Sequence, residues 1–337
     1  MEAIVQHRYG SIDGLRLQDV PAPAPADDEV LVQVRATSVH PDVWHAVTGR
    51  PALLRLMGSG VRRPSQPIPG TDLAGVVVAV GAGVTRFKPG DEVFGETIRG
   101  HQWRNGGAYA ELAVAPEQGL ALKPPAVTFE EAAAVPTVGL ITLQNLPQRR
   151  VSPGDRLLIN GAAGGVGSIA VQLAKAYGAH VTAVDAAPKL EMLRRLGADR
   201  TIDYGTEDFT QAAEQWDLVF DIPGNHPFSR VRRVIAPGGA YVLIGHDAFG
   251  AKGHAVLGSV PHALGLMARS VVTPELRGGA MKAPDKQASM ELLARLLQEG
   301  RLQVVIDRVL GLADAALALR HLASGQATGR IVLSVGG

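Results

Sequence analysis

Between residues 29 and 39 the chain reads EVLVQVRATSV, with apolar side chains at alternate positions. A period of two sets one face of a strand against a core and the other toward polar surroundings. Shorter runs follow at 72–81 (DLAGVVVAVG), 91–95 (DEVFG) and 108–116 (AYAELAVAP). They are rich in Val and separated by Gly, Pro and Asp clusters such as KPGDEV. This part of the chain is expected to form a compact, partly barrel-like β domain.

The pattern changes near residue 125. DRLLING (155–161) reads as a buried strand, SIAVQLAKAYG (168–178) as a helix stopped by Gly178, and HVTAVD (180–185) as a second strand. KLEMLRRLG (189–197) is a second helix ending at Gly197. RTIDY (200–204), WDLVFDI (216–222) and AYVLIG (240–245) add strands, with FSRVRRVIAPGG (228–239) as the helix and turn before the last. Strict alternation of β and α predicts a parallel, doubly wound sheet, so the fold class is α/β. The tail carries the helices ASMELLARLLQEG and ADAALALRHLASG and the strands VVIDRVLGL and GRIVLSV. Residues 246–287 are Gly-rich, carry MKAPDK near their end, and are expected to form an interface or a mobile segment.

A length of 337 residues exceeds one ordinary core and suits two domains. A formal net charge of +1 points to no nucleic-acid partner and no anionic membrane surface. The 40 glycines and 22 prolines are spread between apolar runs as turn punctuation, which argues against low complexity. The chain has no cysteine, which excludes disulfides, thiolate catalysis and zinc sites built on sulfur. No stretch supplies the roughly 18 uninterrupted apolar residues of a membrane span, and the N-terminal sequence alternates like a strand. A soluble cytoplasmic protein is expected.

The strongest chemical signal is NGAAGGVGSIAVQLAKAYGAHVTAVD. A strand leads into Gly161, Gly164, Gly165 and Gly167, then a helix, then a strand ending in Asp185. Glycines allow the sharp turn and let backbone N–H groups approach a pyrophosphate, and the helix N-terminus adds free donors. Asp185 follows at about the 20-residue offset of an acid that accepts from a ribose hydroxyl. A dinucleotide site is expected, against the alternative of a glycine turn kept for close packing. A second signal is SVHPDVWH (38–45), with two imidazoles and a carboxylate in eight residues. It reads as a metal site, an acid/base site or a loop that happens to carry them.

NGAAGGVG, with PGTDLAGVVVAVGAGVTRFKPGDEVFG, GGAYAELAVAP, EEAAAVPTVGL, LGADRTIDY and PGGAYVLIG, resembles the zinc-independent quinone oxidoreductase branch of the medium-chain dehydrogenase/reductase superfamily. The resemblance covers nearly the whole chain, in order. It implies a GroES-like β-rich catalytic domain over 1–126 and 278–337, and a Rossmann nucleotide-binding domain over 127–277. It further implies hydride transfer from NAD(P)H to a small-molecule quinone or enone, and a homodimer.

The end of the second Rossmann strand chooses the cofactor. A carboxylate there accepts from ribose hydroxyls and repels a 2′-phosphate, so Asp185 favours NADH over NADPH. Lys189 and Tyr204 are what a 2′-phosphate pocket would use, or are an exposed helix start and a strand-end contact. Carried over from the resemblance are Thr137 beside the nicotinamide, Gly164, Gly165 and Val166 at the pyrophosphate, and Gly245 near the nicotinamide ribose. Arg330 falls where related dehydrogenases bind pyrophosphate, or is an exposed strand charge.

In zinc-dependent relatives the catalytic ligands would fall on His40, on Thr71 and Asp72, and near Thr137. The donor set is missing, so no metal is expected. The candidate catalytic residues are His40, Asp42 and Thr71. A neutral His40 donates a hydrogen bond to a carbonyl oxygen and also delivers a proton, with Asp42 fixing its tautomer, or it holds the loop. His45 is expected to be structural or exposed, and Trp44 to wall the substrate pocket. The stretch 95–111, with Glu96, Arg99, His101, Trp103 and Arg104, is expected as a solvated loop in preference to a lid. An alcohol or aldehyde dehydrogenase with an atypical site at His40, and a non-catalytic NAD(P)H-binding protein, are the alternatives.

Overall fold

The computed structural model describes all residues except 58, 100–103, 148–149, 246–255, 257–259, 277–284 and 337. In chain order come β1 (Glu2–Val5), β2 (Arg16–Asp19), β3 (Glu29–Val39), α1 (Pro41–Thr48), β4 (Asp72–Val80), β5 (Glu92–Glu96), β6 (Leu112–Pro116) and β7 (Leu120–Leu122). Then follow α2 (Phe129–Ala133), α3 (Pro136–Asn145), β8 (Arg156–Asn160), α4 (Gly165–Ala176), β9 (His180–Asp185), α5 (Leu190–Arg195) and β10 (Arg200–Asp203). Next are β11 (Trp216–Asp221), α6 (Phe228–Val231), β12 (Ile235–Leu243) and α7 (Val260–Ser270). The last are α8 (Lys286–Gln298), β13 (Ile306–Gly311), α9 (Ala315–Ala323) and β14 (Arg330–Ser334).

The chain divides into two compact units. One comprises Met1–Thr137, Phe249–Gly258 and Asp285–Gly337, the other Val138–Ala248 and Ser259–Pro284. The first boundary lies at Thr137, beyond the expected 126. Helix α2 keeps its segment in the first unit, because it packs on β3, β4 and β14. Thr128 caps α2 with its side chain and Glu131 returns the bond, so the helix is well started.

In the first unit a seven-stranded sheet runs β13-β14-β3-β4-β5-β7, with β6 also paired to β3. The alternation of β3 turns Val30, Val32, Val34 and Ala36 inward, where they meet Leu73, Val93 and Leu120 in the core or beside it. The tail returns to this sheet: β14 lies antiparallel to β3, with Val332 opposite Ser38 and Leu333 opposite Thr37. That pairing sets Arg330 near the end of β3.

In the second unit five parallel strands run β10-β9-β8-β11-β12. The three inner strands β9, β8 and β11 read as the near-continuous apolar runs of strands buried on both faces. The order reverses between β8 and β11, where open α/β sheets take their ligands. The expected segment 246–287 lies partly outside the described residues; within it α7 is an exposed helix.

Candidate active site

His40 leaves β3 and is the N-cap residue of α1, with Pro41 at the first helical position. Its side chain makes no capping bond, which leaves the ring to face the start of β4. Nε2 lies 2.7 Å from Thr71 Oγ1. Nδ1 lies 3.4 Å from Asp42 Oδ2 and has no hydrogen bond. His40 and Thr71 are both buried. The fold therefore brings the three candidate catalytic residues into one row, Asp42–His40–Thr71.

Trp44 does not stand free to wall a pocket. It is buried in the core cluster with Val43 and Val47, because α1 turns that face inward, and it meets His45 edge to face at 5.1 Å. The His45 Nδ1 lies 2.6 Å from the Arg50 carbonyl, and burial pushes its pKa down. Of the two expectations for His45, structural or exposed, the buried contact fits the first.

Asp72, at the head of β4, is wholly buried and fully engaged. Its Oδ1 accepts from the Thr137 backbone N–H at 3.1 Å and hydroxyl at 2.5 Å. Its Oδ2 accepts from Ser38 Oγ at 2.6 Å and Arg330 Nη2 at 2.9 Å. Arg330 also donates from Nη2 to Ser38 Oγ and from Nε to the Ala134 carbonyl at 3.0 Å. It is neither an exposed strand charge nor free for a pyrophosphate with these groups; it is the internal counter-ion of Asp72. Burial pushes its pKa down, against the pull of the Asp72 charge.

The expectation of a solvated loop over 95–111 gives way at Glu96. Strand β5 extends through this residue, whose side chain is 1% exposed. Its Oε1 lies 2.8 Å from Thr137 Oγ1, and its Oε2 accepts from Lys286 Nζ at 2.7 Å. Arg99 is exposed and pairs with Asp28, and Arg104 is exposed. His101 and Trp103 lie outside the described residues. Sequence reading passes over Glu96 as an active-site group and does not single out Lys286. The usable signal is the buried run of DEVFGE carrying on one residue past the expected strand end.

In the second unit, Gly161 follows β8 at φ +77°, a conformation that suits glycine. A Cβ on Gly167 would lie 2.4 Å from the Gly161 carbonyl oxygen. At Gly164, the extended N-cap residue of α4, an added Cβ would meet only the Gly161 oxygen, at 3.6 Å. Gly165 begins the helix, and the Val166 carbonyl accepts from Thr142 Oγ1 at 3.3 Å. Asp185 closes β9: Oδ2 accepts from the Ala163 N–H and Oδ1 from the Ala186 N–H, each at 2.9 Å. Lys189 Nζ stands 3.8 Å from Asp185 Oδ1. Tyr204 follows β10, whose Asp203 pairs with Asp185, and its side chain is 62% exposed. Asp185, Lys189 and Tyr204 thus share one sheet end. Gly245 donates its N–H to the Ile222 carbonyl at 3.1 Å, just past the end of β12. An open glycine turn at a helix start, with an acid ending the next strand, fits a dinucleotide.

At the switch point Asn160 Nδ2 donates to Asp221 Oδ1 at 2.9 Å, joining the ends of β8 and β11. Asp221 also accepts from the Gly224 N–H and the Tyr241 hydroxyl. Burial pushes its pKa up, and these hydrogen bonds pull it partly back. Sequence reading did not single out this acid, although an Asp closing an apolar strand marks it.

A family described as "Alcohol dehydrogenase GroES-like domain" matches residues 26–125, and one described as "Zinc-binding dehydrogenase" matches residues 196–333. The chain is 33% identical to the chloroplast envelope quinone oxidoreductase homolog of Arabidopsis thaliana, over 99% of this chain and 98% of the relative. It is 31% identical to 2-methylene-furan-3-one reductase of Solanum lycopersicum, over 96% of this chain and 76% of that protein. The solved structure of Escherichia coli quinone oxidoreductase complexed with NADPH matches with a TM-score of 0.79 at 26% identity, covering 99% of this chain and 100% of that one. The chain belongs to the quinone oxidoreductase branch of the medium-chain dehydrogenase/reductase superfamily. It is an NAD(P)H-dependent oxidoreductase.

The description of one matching family raises zinc, and the residues of this quinone oxidoreductase relative do not fit it. His40 Nε2 is turned to Thr71, and both oxygens of Asp72 are taken. Among the described residues no three His, Cys, Asp or Glu side chains converge.

Proposed function

We propose that this enzyme reduces a quinone or an α,β-unsaturated carbonyl, without catalytic zinc and with NADH favoured over NADPH. The observation that carries the reading is the Asp42–His40–Thr71 row, in which His40 and Thr71 fall at positions the resemblance assigns to ligands of zinc-dependent relatives. Reduced nicotinamide, when bound, supplies the hydride. Quinones and enones are electrophilic enough to need only orientation and a hydrogen donor. A ring with hydrogens on both nitrogens points Nδ1–H at Asp42 and donates Nε2–H to Thr71, whose hydroxyl passes its own proton to the acceptor oxygen. The ring is left neutral, with Nδ1–H facing Asp42 and Nε2 accepting from the restored Thr71 hydroxyl.

The charge of Asp185 supports NADH, since a 2′-phosphate would meet a carboxylate that Lys189 offsets only from 3.8 Å. We also infer a homodimer working in the cytoplasm. No described helix is long and apolar enough to cross a membrane. Among the described residues β12 ends its sheet, and Leu264 and Met267 on α7 are exposed.

The test follows reduced-nicotinamide absorbance with each cofactor against a panel of quinones, enones and aldehydes, on protein purified without chelator and analysed for metal. Turnover of quinones or enones with NADH, at far below one zinc per chain, is expected. Near-stoichiometric zinc, or turnover of aldehydes alone, would sink the reading. Cofactor binding without any turnover would make the chain a nucleotide-binding protein.

A further inference from the structure

Thr137 Oγ1 lies 2.5 Å from Asp72 Oδ1 and 2.8 Å from Glu96 Oε1. A threonine hydroxyl owns one hydrogen, so the two carboxylate oxygens compete for it. Each acid is held from its other oxygen by a cation. Arg330 Nη2 holds Asp72 at 2.9 Å, and Lys286 Nζ holds Glu96 at 2.7 Å. The result is a chain of five side chains, Arg330–Asp72–Thr137–Glu96–Lys286, drawn from β14, β4, α3, β5 and α8. The first four are at least nine-tenths buried, and Lys286 keeps 30% of its side chain exposed.

Asp72 also takes the Thr137 backbone N–H, one of the free donors at the start of α3. Asp72 alone therefore fixes the backbone of Thr137. Glu96 adds nothing to that fixing; its Oε1 faces the hydroxyl and its Oε2 faces Lys286. A buried carboxylate is costly unless paired and hydrogen-bonded. Its neighbours on β5, Val93 and Phe94, show that apolar side chains pack well there. A charge kept at this position, with Lys286 on one oxygen and the Thr137 hydroxyl on the other, calls for a role at that hydroxyl.

We propose that Glu96 and Lys286 are positioning residues for the reduction, acting through Thr137. The pull of Glu96 against Asp72 sets the direction of the Thr137 hydroxyl, and Lys286 holds Glu96 in place from α8. This rests on the reading that Thr137 lies beside the nicotinamide.

The experiment compares Glu96→Ala, Glu96→Gln, Lys286→Met and Lys286→Arg, each alone and in a Thr137→Val background. The readouts are kcat, KM, cofactor Kd and the primary isotope effect with 4-deuterated cofactor. Glu96→Ala and Lys286→Met are expected to lower kcat roughly tenfold and enlarge the isotope effect, with cofactor Kd little changed. Lys286→Arg, which keeps the cation, should restore most of the rate. In the Thr137→Val background the loss from Glu96→Ala should vanish, because the group it acts on is gone. An unchanged kcat and isotope effect in folded Glu96→Ala and Lys286→Met would overturn the proposal. So would a Glu96→Ala loss of equal size with Thr137→Val present. Failure of the proposed function itself shows separately, as absence of quinone or enone turnover in the unsubstituted enzyme, and would overturn both.

Discussion

Asp72 and Arg330 close a buried ion pair across 258 positions of sequence, Nη2 to Oδ2 at 2.9 Å. The contact ties the head of β4 to the head of β14, so the C-terminal strand is locked to the strand that carries the site. Removing one partner leaves the other charged and buried. Arg330→Met should cost about 3–5 kcal/mol of stability in chemical denaturation. The double variant Asp72→Leu with Arg330→Met should recover part of that loss, since no lone charge remains. A single variant as stable as the parent would show that water reaches Asp72.

Asp221 predicts a pH effect on stability. Its pKa is raised in the fold by burial, so the folded chain holds this proton more tightly than the unfolded chain does. Between the ordinary value and the raised one the folded state binds more protons. Stability from this group therefore falls as pH rises through that window. Asp221→Asn cannot ionise and still offers an oxygen to Asn160 and Gly224. Its denaturation midpoint should change less than the parent's from the acid side to the neutral side of the window. Parallel curves would refute the assignment.

The cofactor cradle predicts two separable effects. In Gly167→Ala the new Cβ would press on the Gly161 carbonyl at 2.4 Å, so the turn must open, costing about 1–3 kcal/mol and weakening both cofactors alike. In Asp185→Ser the carboxylate is lost, and the ratio of kcat/KM values should move about tenfold toward NADPH, or about 1.4 kcal/mol. Because Asp185 also holds the Ala163 N–H, KM should rise for both cofactors. A constant ratio would remove Asp185 from cofactor choice.

These residues also show how far the sequence could be read. EVLVQVRATSV, rich in Val, is β3 from end to end, and HVTAVD is β9 with Asp185 as its last residue. Gly178 ends its helix as expected, at φ +87°. Local pattern suffices there because one face, or both, must be buried. It fails where a contact joins distant segments. Lys286 is 190 positions from Glu96, and Arg330 is 196 from Ala134, so no local period could pair them. Trp44 is a related case: α1 is short, and only packing in the core cluster decides that the ring is buried.

His40 predicts a loss confined to catalysis. His40→Asn keeps a hydrogen-bonding group toward Thr71 but cannot accept and return a proton through the ring. The rate kcat should fall roughly a hundredfold, as for loss of a general acid, with cofactor Kd unchanged. Thr71→Val should lose a similar factor, and the double variant little more, because the two act as a unit. Additive losses would separate His40 from Thr71 and leave the imidazole as a loop support.

The exposed face of α7 predicts the oligomeric state. Leu264 and Met267 on α7 are exposed at 58% and 68%, one helical turn apart, and Val271 and Val272 just beyond its end are exposed at 73% and 77%. Among the described residues β12 also ends its sheet, and an unpaired strand edge and an exposed apolar stripe each invite a second copy. Leu264→Glu with Met267→Glu would desolvate two carboxylates in such an interface. The paired substitution should convert a dimer into a folded monomer, read by light scattering after size exclusion, with the far-ultraviolet spectrum unchanged. A parent chain that runs as a monomer, or a variant that stays dimeric, would place the contact elsewhere.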